Sequence, residues 1–313
     1  MIVALSGGVG GAKLALGLSR ILPPDQLMVV CNTADDFEHL GLSISPDLDT
    51  VMYTLAGVAN AELGWGRQDE TWSFMETLEA LGGETWFRLG DRDLAVHLER
   101  TRRMRAGEPL TMITKALCRR LGVASRVVPM TDDTVRTRVL TDDGWISFQE
   151  YFVRLRCEPV VRALRFEGAE TARPQPDFLA ALENPALAAV VICPSNPFIS
   201  IEPILALPGV RRALAACTAP VIAVSPIIGG RAVKGPTAKM MAELGLTPRS
   251  AGVAQRYGDL LDGYVVDLAD ISEVKAIRAR VTLAQTLMAT LADREAVART
   301  VLDAAAKLRR SKG

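Results

Sequence analysis

A glycine-rich turn near the start of the chain constrains its fold more than any other feature. Four of the five residues from 7 to 11 are glycine, and they separate the apolar run Ile2–Leu5 from the helical pattern Ala12–Ile21. This order is typical of a strand, a turn and a helix, in which glycine lets backbone N–H groups approach an anion at the helix N-terminus. We therefore expect the turn to bind phosphate through Gly7, Gly8, Gly10, Gly11 and Lys13.

Two familiar phosphate-binding loops do not match this turn. A Walker A loop needs glycine before its lysine and Ser or Thr after it, where this chain has Ala12 and Leu14. The strict dinucleotide pattern G-x-G-x-x-G, read from Gly8, ends on Lys13 instead of glycine. An ordinary kinase or dehydrogenase is therefore disfavoured, and a tight turn without a ligand is the plainer alternative.

The remaining sequence alternates between strand and helix patterns. Leu27–Cys31 is a second buried strand, helical periodicity runs from 69 to 122, and β-type alternation with a hairpin turn at Asp142–Gly144 runs from 126 to 166. Further strands are expected at 188–193, 220–225 and 264–267, a helix-prone segment at 201–207 and a helical tail at 281–312. This predicts a Rossmann-like, doubly wound α/β fold with a mostly parallel sheet. Residues 1–65 and 185–313 would form the nucleotide-binding core, and 66–184 an inserted lobe of helices and a β-hairpin.

Composition and charge exclude several classes of partner. The 313 residues include 36 basic and 36 acidic side chains, so no net charge attracts nucleic acid or a membrane surface. The first apolar strand follows the initial Met directly, unlike a secretion signal, and no apolar run is long enough to span a membrane. We expect a cytoplasmic protein without nucleic-acid or membrane partners. Its cysteines are expected to be buried and reduced: Cys31, Cys118, Cys157, Cys193 and Cys217.

Two aspartates follow a proline at the start of another helical pattern. In Ser45–Thr50, serine as the N-cap, Pro46 at the first helical position and acids in the first turn describe ordinary helix capping. Asp47 and Asp49 also offer the one or two carboxylates that magnesium takes besides phosphates and water. The segment is therefore a candidate Mg²⁺ site for a bound diphosphate.

Other polar loops follow predicted strands or precede helices. Two of these loops, Pro194–Ser200 and Ser225–Pro236, are expected at the carboxyl ends of strands, where open α/β sheets bind ligands. Their prolines and glycines are also common in loops that bind nothing, which is the alternative explanation. The nucleotide-binding candidates are Ser195, Asn196, Pro197, Ser200, Gly229 and Gly230, with Arg231 and Lys234 as further phosphate contacts. Asp91–Asp93 is either a helix cap or part of a site. His39 and His97 lack the sequence neighbours of a zinc site.

Five segments, taken together, are highly specific. They are SGGVGGAK, NTADDFEHLGLSISPDLDTVMYTLAG, RLGDRDLAVH, PSNPFISIEPIL and SPIIGGRAVKGP, in this order between Ile2 and about Asp267. In this combination the chain resembles the 2-phospho-L-lactate transferase family of deazaflavin coenzyme F-420 biosynthesis. The resemblance implies a magnesium-dependent, homodimeric enzyme with a guanosine diphosphate-linked donor of lactyl phosphate, enolpyruvyl phosphate or phosphoglycerate. The acceptor would be the ribityl hydroxyl of 7,8-didemethyl-8-hydroxy-5-deazariboflavin (Fo), and GMP would leave.

The resemblance also implies roles for particular residues. Asp49 and Arg88 match acceptor-binding positions. Asn32 and Thr33, at the end of the second strand, are also expected to bind the acceptor. Asp47 and Asp49 match the metal-binding region and are the expected catalytic residues.

Two positions depart from the family pattern. Arg88 stands where lysine is expected, which keeps the charge but changes the hydrogen-bonding geometry. Glu202 stands where glycine is usual, and its extra carboxylate is expected to tune or exclude a nucleotide group.

These residues suggest a mechanism. A neutral hydroxyl is a poor nucleophile and the donor diphosphate is negative, so the site must hold both in line and spread charge at phosphorus. Magnesium on Asp47 and Asp49, together with the glycine-turn amides, would spread this charge, and Asp49 is a candidate for accepting the hydroxyl proton.

Two other functions stay open. A nucleotide-sugar-binding regulator of the related gluconeogenesis-factor family would bind without turnover. A deviant dehydrogenase is disfavoured because Asn32 or Thr33 stands where the ribose-binding acid is expected.

Overall fold

The centre of the fold is a sheet of seven strands in which every pairing is parallel. The computed structural model describes residues 1–60, 62, 64–233 and 235–312, with the backbone alone for 309–312. In chain order the strands are β1 (Ile2–Ser6), β2 (Leu27–Cys31), β3 (Phe37–His39), β4 (Leu42–Ile44), β5 (Arg126–Pro129), β6 (Arg136–Thr141), β7 (Gly144–Ser147), β8 (Ala163–Glu167), β9 (Ala189–Ile192), β10 (Val221–Val224), β11 (Ile227–Ile228), β12 (Arg231–Ala232), β13 (Gly263–Asp267) and β14 (Arg280–Ala284). The central sheet has the order β14-β13-β10-β9-β1-β2-β5, which reverses between β1 and β9.

The inner strands are continuous apolar runs because both faces of the sheet are covered. In β1, Val3 and Leu5 point into a core on one face, whereas Ile2 and Ala4 point into a core on the other. Such alternation follows from the two-residue repeat of a strand. The strands expected near residues 2–5, 27–31, 188–193, 220–225 and 264–267 are therefore confirmed.

Helices cover both faces of this sheet. They are α1 (Gly8–Ile21), α2 (Pro46–Ala56), α3 (Ser73–Ala80), α4 (Asp91–Arg105), α5 (Leu110–Arg120), α6 (Pro176–Glu183), α7 (Glu202–Ala206), α8 (Val210–Ala216), α9 (Thr237–Glu243), α10 (Ser250–Tyr257) and α11 (Leu291–Lys312). Leu14 of α1 and Val301 of α11 belong to the core on one face. Phe178 of α6 and Leu214 of α8 belong to the core on the other. The doubly wound α/β fold is confirmed.

Smaller sheets lie outside the central one. β6 pairs antiparallel with β7 and β8, and the β6–β7 hairpin closes between Thr141 and Gly144, so the turn expected at Asp142–Gly144 is confirmed. β3 with β4 and β11 with β12 form two further antiparallel hairpins.

The structure differs from the sequence prediction at both edges of the main sheet. The sequence predicts a helical tail over 281–312, but β14 pairs parallel with β13 and α11 begins only at Leu291. β14 is only partly buried, so it lacks the continuous apolar run of an inner strand. At the opposite edge, β5 comes from the predicted inserted lobe of residues 66–184 and pairs with β2. The division of the chain into two domains stays a prediction.

Two expectations about the environment of the chain can be compared with the structure. All five cysteines are free; Cys31, Cys118 and Cys193 are buried, whereas Cys157 and Cys217 are only partly buried. Within the described part of the chain, no helix has both the length and the apolar character that crossing a bilayer requires.

Candidate functional site

A cavity of about 600 Å³ opens at the carboxyl ends of β1, β9 and β10. Its walls include the glycine turn, the start of α2 and the loops after β9, β10 and β14. It therefore lies where the strand order reverses, which is where doubly wound sheets bind ligands. The lining residues that the sequence singles out are Gly7, Gly8, Gly10, Lys13, Asp47, Arg88, Ser195, Asn196 and Ser200.

The glycine turn packs closely against its neighbours. A Cβ at Gly10 would overlap the carbonyl oxygen of Pro194, and Cβ atoms at Gly7 and Gly11 would overlap other residues of the site. Gly8 has a φ of 61°, a conformation that favours glycine. Because these residues lack side chains, the backbone itself lines the cavity at the N-terminus of α1.

Ser195 fixes the glycine turn to the loop after β9. Its Oγ accepts a hydrogen bond from the Gly7 N–H at 3.1 Å and donates one to the Gly7 carbonyl at 2.8 Å. In the same loop, Asn196 Oδ1 accepts a hydrogen bond from the Phe198 N–H at 2.9 Å. Both side chains line the cavity, as Ser200 does, whereas Pro197 is buried in the loop. Ser195 and Asn196 therefore shape the cavity as well as line it.

Asp47 points from the start of α2 to the glycine turn. Its Oδ1 accepts a hydrogen bond from the Gly8 N–H at 2.7 Å, and its Oδ2 accepts one from Asn32 Nδ2 at 3.0 Å. Burial raises the pKa of Asp47 to about 6, although these two hydrogen bonds act in the opposite direction. Asn32 is held in turn, because its Nδ2 also donates to the Ile199 carbonyl at 3.1 Å.

Asp49 points away from Asp47, because residues two apart on an α-helix lie on opposite sides of it. Both Asp49 carboxylate oxygens accept hydrogen bonds from the fully buried Arg100 of α4. Arg100 Nη1 also lies 3.1 Å from His97 Nδ1, and His97 Nε2 lies 3.2 Å from Asp93 Oδ1. We call Asp49, Arg100, His97, Asp93 and Tyr53 the buried ionic cluster, since the Tyr53 hydroxyl donates to Asp93 at 2.6 Å.

The pair Asp47 and Asp49 therefore does not converge on one point of the cavity. Asp49, Asp93 and His97 bring potential metal ligand atoms within 4.8 Å of one another, but Arg100 already neutralises Asp49 there. Asp47 is thus the member of the predicted pair that faces the cavity.

Asp35 is a cavity residue that the sequence does not single out. It is buried, its Oδ1 accepts a hydrogen bond from the Thr137 hydroxyl at 2.9 Å, and its carbonyl accepts one from Gln149 Nε2 at 3.0 Å. Burial and the nearby charge of Asp47 raise its pKa well above the ordinary value. Its position in a polar run after β2 is the one sequence signal that marks it.

Aromatic side chains line another part of the cavity, and we call them the aromatic wall: Trp65, Trp86, Phe87, Phe148 and Phe152. The rings of Phe148 and Phe152 are stacked, with centroids 5.3 Å apart. Arg88 borders this wall, and its guanidinium lies over the ring of Trp72 with Cζ 4.3 Å from the centroid. The cavity thus combines polar backbone with flat apolar surfaces.

Several sequence candidates are engaged elsewhere in the fold. The N–H groups of Gly229 and Gly230 donate to the Asp270 carboxylate at 3.1 and 3.2 Å. Arg231 is exposed in β12, Lys234 lies outside the described residues, and Thr33 is buried beside Asn32.

Two acidic candidates have structural partners. Asp91 accepts hydrogen bonds from the Ser73 and Phe74 N–H groups at 3.2 and 3.1 Å, so it caps α3. Glu202 forms ion pairs with Arg211 and Arg256 at 2.6 and 3.4 Å. Both carboxylates therefore have a structural explanation.

Comparison with known proteins shows the family to which the chain belongs. The sequence profile of the family described as 2-phospho-L-lactate transferase CofD matches residues 2–306. The chain belongs to the CofD family. It is therefore a transferase enzyme, of the family that the five sequence segments indicate.

Curated relatives of this CofD-family chain match over 88% of its length or more. A phosphoenolpyruvate transferase of Streptomyces coelicolor is 44% identical over 309 residues, covering 97% of this chain and 96% of its own. The phosphoenolpyruvate transferase of Thermobifida fusca is 45% identical and covers 88% of this chain and 88% of its own. That of Mycobacterium tuberculosis is 38% identical and covers 89% of this chain and 91% of its own. A crystal structure of a UPF0052 protein from Bacillus halodurans has a TM-score of 0.64 at 12% identity, covering 96% of this chain and 99% of its own, which shows a shared fold.

Proposed function

We propose that this CofD-family enzyme transfers an enolpyruvyl phosphate group from a guanosine diphosphate-linked donor to the ribityl hydroxyl of Fo, in coenzyme F-420 biosynthesis. A bond forms between the hydroxyl oxygen and the phosphorus that bears the enolpyruvyl group. The bond from that phosphorus to the bridging oxygen breaks, GMP leaves with this oxygen, and the hydroxyl proton passes to a base. The names of the relatives favour enolpyruvate over lactate or glycerate as the acid.

One observation carries the proposal: the cavity joins a glycine turn at a helix N-terminus to an aromatic wall. The donor diphosphate would lie against the backbone of Gly7, Gly8 and Gly10, because N–H groups and the helix dipole favour anions there. Lys13 lines the same region and would add positive charge. The guanosine would reach the loop that contains Ser195, Asn196 and Ser200.

The aromatic wall supports the acceptor. The deazaflavin of Fo is a flat aromatic ring system, and aromatic side chains bind such rings by offset stacking or edge contacts. Phe148, Phe152 and Trp86 line the cavity and offer such surfaces. Arg88 would contact the acceptor at the border between the two parts.

Magnesium is part of the proposal, and the donor set fits it. Mg²⁺ commonly takes one or two carboxylates together with substrate phosphates and water. Asp47 offers a cavity-lining carboxylate next to the proposed diphosphate position, whereas Asp49 is paired with Arg100. When bound, the cation would neutralise charge that develops on the phosphoryl oxygens.

The proton of the acceptor hydroxyl needs a base. Among the described residues, the carboxylates that line the cavity are Asp35 and Asp47. With Asp47 beside the diphosphate, Asp35 is the carboxylate that remains to accept the proton, and its raised pKa makes it a stronger base.

Mass spectrometry of the product tests the proposal. Purified enzyme is incubated with Fo, MgCl₂ and, in separate reactions, the enolpyruvyl, lactyl and glyceryl donors. We expect the enolpyruvyl product and stoichiometric GMP from the first donor, with slower or no product from the others. Preference for another donor would overturn the choice of acid. Binding of a UDP-sugar without turnover of any donor would instead favour a regulator.

Two accompanying expectations stay predictions. We propose that the enzyme is a homodimer, which sedimentation velocity would test, and that it acts in the cytoplasm on small-molecule substrates.

A further inference from the structure

Asp47 occupies a position at the glycine turn that suits an anion. Its Oδ1 lies 2.7 Å from the N–H of Gly8, the first residue of α1. Helix N-termini attract anions because their first N–H groups lack partners within the helix. A carboxylate of the chain therefore already uses part of the surface that the proposed diphosphate would need.

The carboxylate is held there by the surrounding fold. Its Oδ2 accepts a hydrogen bond from Asn32 Nδ2, and Asn32 is fixed because its Oδ1 accepts from the Ala34 N–H at 2.9 Å. A Cβ at Gly7 would overlap Asp47 Oδ2, so the turn packs directly on the carboxylate. The negative charge cannot turn away without breaking both hydrogen bonds of Asp47.

We infer that Asp47 makes the glycine turn accept a diphosphate only as its complex with a divalent cation. A free diphosphate that approaches the N-terminus of α1 meets this fixed negative charge and competes with it for the Gly8 N–H. A cation between the carboxylate and the phosphates reverses the interaction from repulsion to attraction. Asp47 thereby determines which form of the donor the enzyme selects, an inference that rests on the proposed diphosphate position.

Asp35 provides a matched comparison. It is a second buried aspartate that lines the same cavity, but its side chain accepts a hydrogen bond from the Thr137 hydroxyl instead of from the glycine turn. Replacing Asp35 with asparagine removes a carboxylate from the cavity while the hydrogen bond between Asp47 and Gly8 stays in place. The two aspartates therefore separate an effect of position at the turn from an effect of general negative charge.

Calorimetric titration tests the inference through binding, without turnover. GDP and, separately, inorganic pyrophosphate are titrated into wild type, Asp47→Asn, Asp47→Ala and Asp35→Asn, each in EDTA and in MgCl₂. For wild type we expect the affinity to fall by about tenfold or more in EDTA, within the usual range of coupling between two ligands. Both Asp47 variants should bind about fivefold or more tightly than wild type in EDTA and lose most of the metal dependence. The Asp35→Asn variant should keep the metal dependence of the wild type.

Other outcomes overturn the inference. Wild-type affinity that is equal in EDTA and MgCl₂ contradicts it, as do Asp47 variants that bind no more tightly than wild type in EDTA. An Asp35→Asn variant that behaves like Asp47→Asn contradicts the assignment to the turn. Circular dichroism and thermal melting in EDTA establish that each variant is folded. Binding of pyrophosphate but not of GDP would contradict the proposed guanosine donor, while the pyrophosphate titrations would still decide the inference.

Discussion

Asp49 and Arg100 form a buried ion pair between α2 and α4. Arg100 Nη1 donates to Asp49 Oδ2 at 3.0 Å, and Nη2 donates to Oδ1, across 51 residues of sequence. Arg100 is 1% exposed and Asp49 5%, so neither charge has water to replace its partner. The pair fixes the helix that carries Asp47, and this gives Asp49 a structural role beside the acceptor-binding role that the family resemblance implies.

The first prediction concerns the stability of this pair. Asp49→Ala leaves the Arg100 guanidinium buried without its main partner, and we expect the free energy of unfolding to fall by about 3–5 kcal/mol. Arg100→Met should have a comparable effect. The double variant should lose less than the sum of the two, because no charge is left unpaired. Urea denaturation at pH 7.5 measures all three.

Additive losses in the double variant would contradict the pair as described. Transfer assays on the folded double variant add a second result. Recovered activity would assign Asp49 to stabilising α2, whereas a folded but inactive protein would support its contact with the acceptor.

The second prediction concerns the glycine turn. Gly10→Ala places a Cβ against the Pro194 carbonyl, and we expect a loss of about 1–3 kcal/mol in stability together with loss of GDP binding. Gly17→Ala is the matched control. Gly17 lies in the same helix, α1, but does not line the cavity, and its Cβ would overlap the Arg294 carbonyl of α11. It should destabilise the protein without a specific effect on binding. Equal GDP affinity in the two folded variants would argue against a role for the turn in binding.

The third prediction concerns Arg88 and Trp72. A planar guanidinium stacks on an indole, and a lysine ammonium lacks this plane. Arg88 is exposed, and a contact of this kind at an exposed position contributes about 0.5–1 kcal/mol, so Arg88→Lys should raise the KM for Fo about two- to fivefold. Trp72→Leu should have a similar effect, with little further change in the double variant. Steady-state kinetics measure the KM for Fo in all three variants. If the increase in the double variant equals the product of the two single increases, the contact between Arg88 and Trp72 does not couple them, and the prediction is contradicted.

The fourth prediction concerns pH and Asp36. Burial raises the pKa of Asp36 to about 7. An unfolded aspartate ionises near pH 4, so between about pH 4 and 7 the native state holds more protons and the free energy of unfolding falls as pH rises. Asp36→Asn should remove this slope and stabilise the protein by about 2–4 kcal/mol at pH 8, with little change at pH 4.5.

Denaturation curves across this pH range check the fourth prediction against wild type. Asp47, whose pKa burial raises to about 6, also titrates in this range and is present in both proteins. Parallel pH profiles for the two proteins would contradict the raised pKa of Asp36.

The sequence predicts the main sheet because its inner strands are buried on both faces and therefore show as continuous apolar runs. Val221–Val224 and Leu27–Cys31 are of this kind. β14 lies at the edge of the sheet, where β13 is its one neighbour among the described strands, and it is only partly buried. The sequence therefore does not distinguish it from the helical pattern that follows. Local patterning identifies elements by burial, and edge strands carry less of that signal.

Side-chain partners that are distant in sequence were beyond prediction. The glycines Gly229 and Gly230 suggest an anion site, but Asp270, about 40 residues later, supplies the carboxylate from within the chain. In the same way, spacing alone places Asp47 and Asp49 together, although Arg100 holds Asp49 on the other side of α2. Only the fold decides which of several polar groups remain directed at a ligand.

A crystal structure of the enzyme with GDP and Mg²⁺ tests the central claim most directly. The account predicts the diphosphate against the backbone of Gly8 and Gly10 at the N-terminus of α1, with the cation between the phosphates and Asp47. Phosphates bound away from both the glycine turn and Asp47 would contradict it.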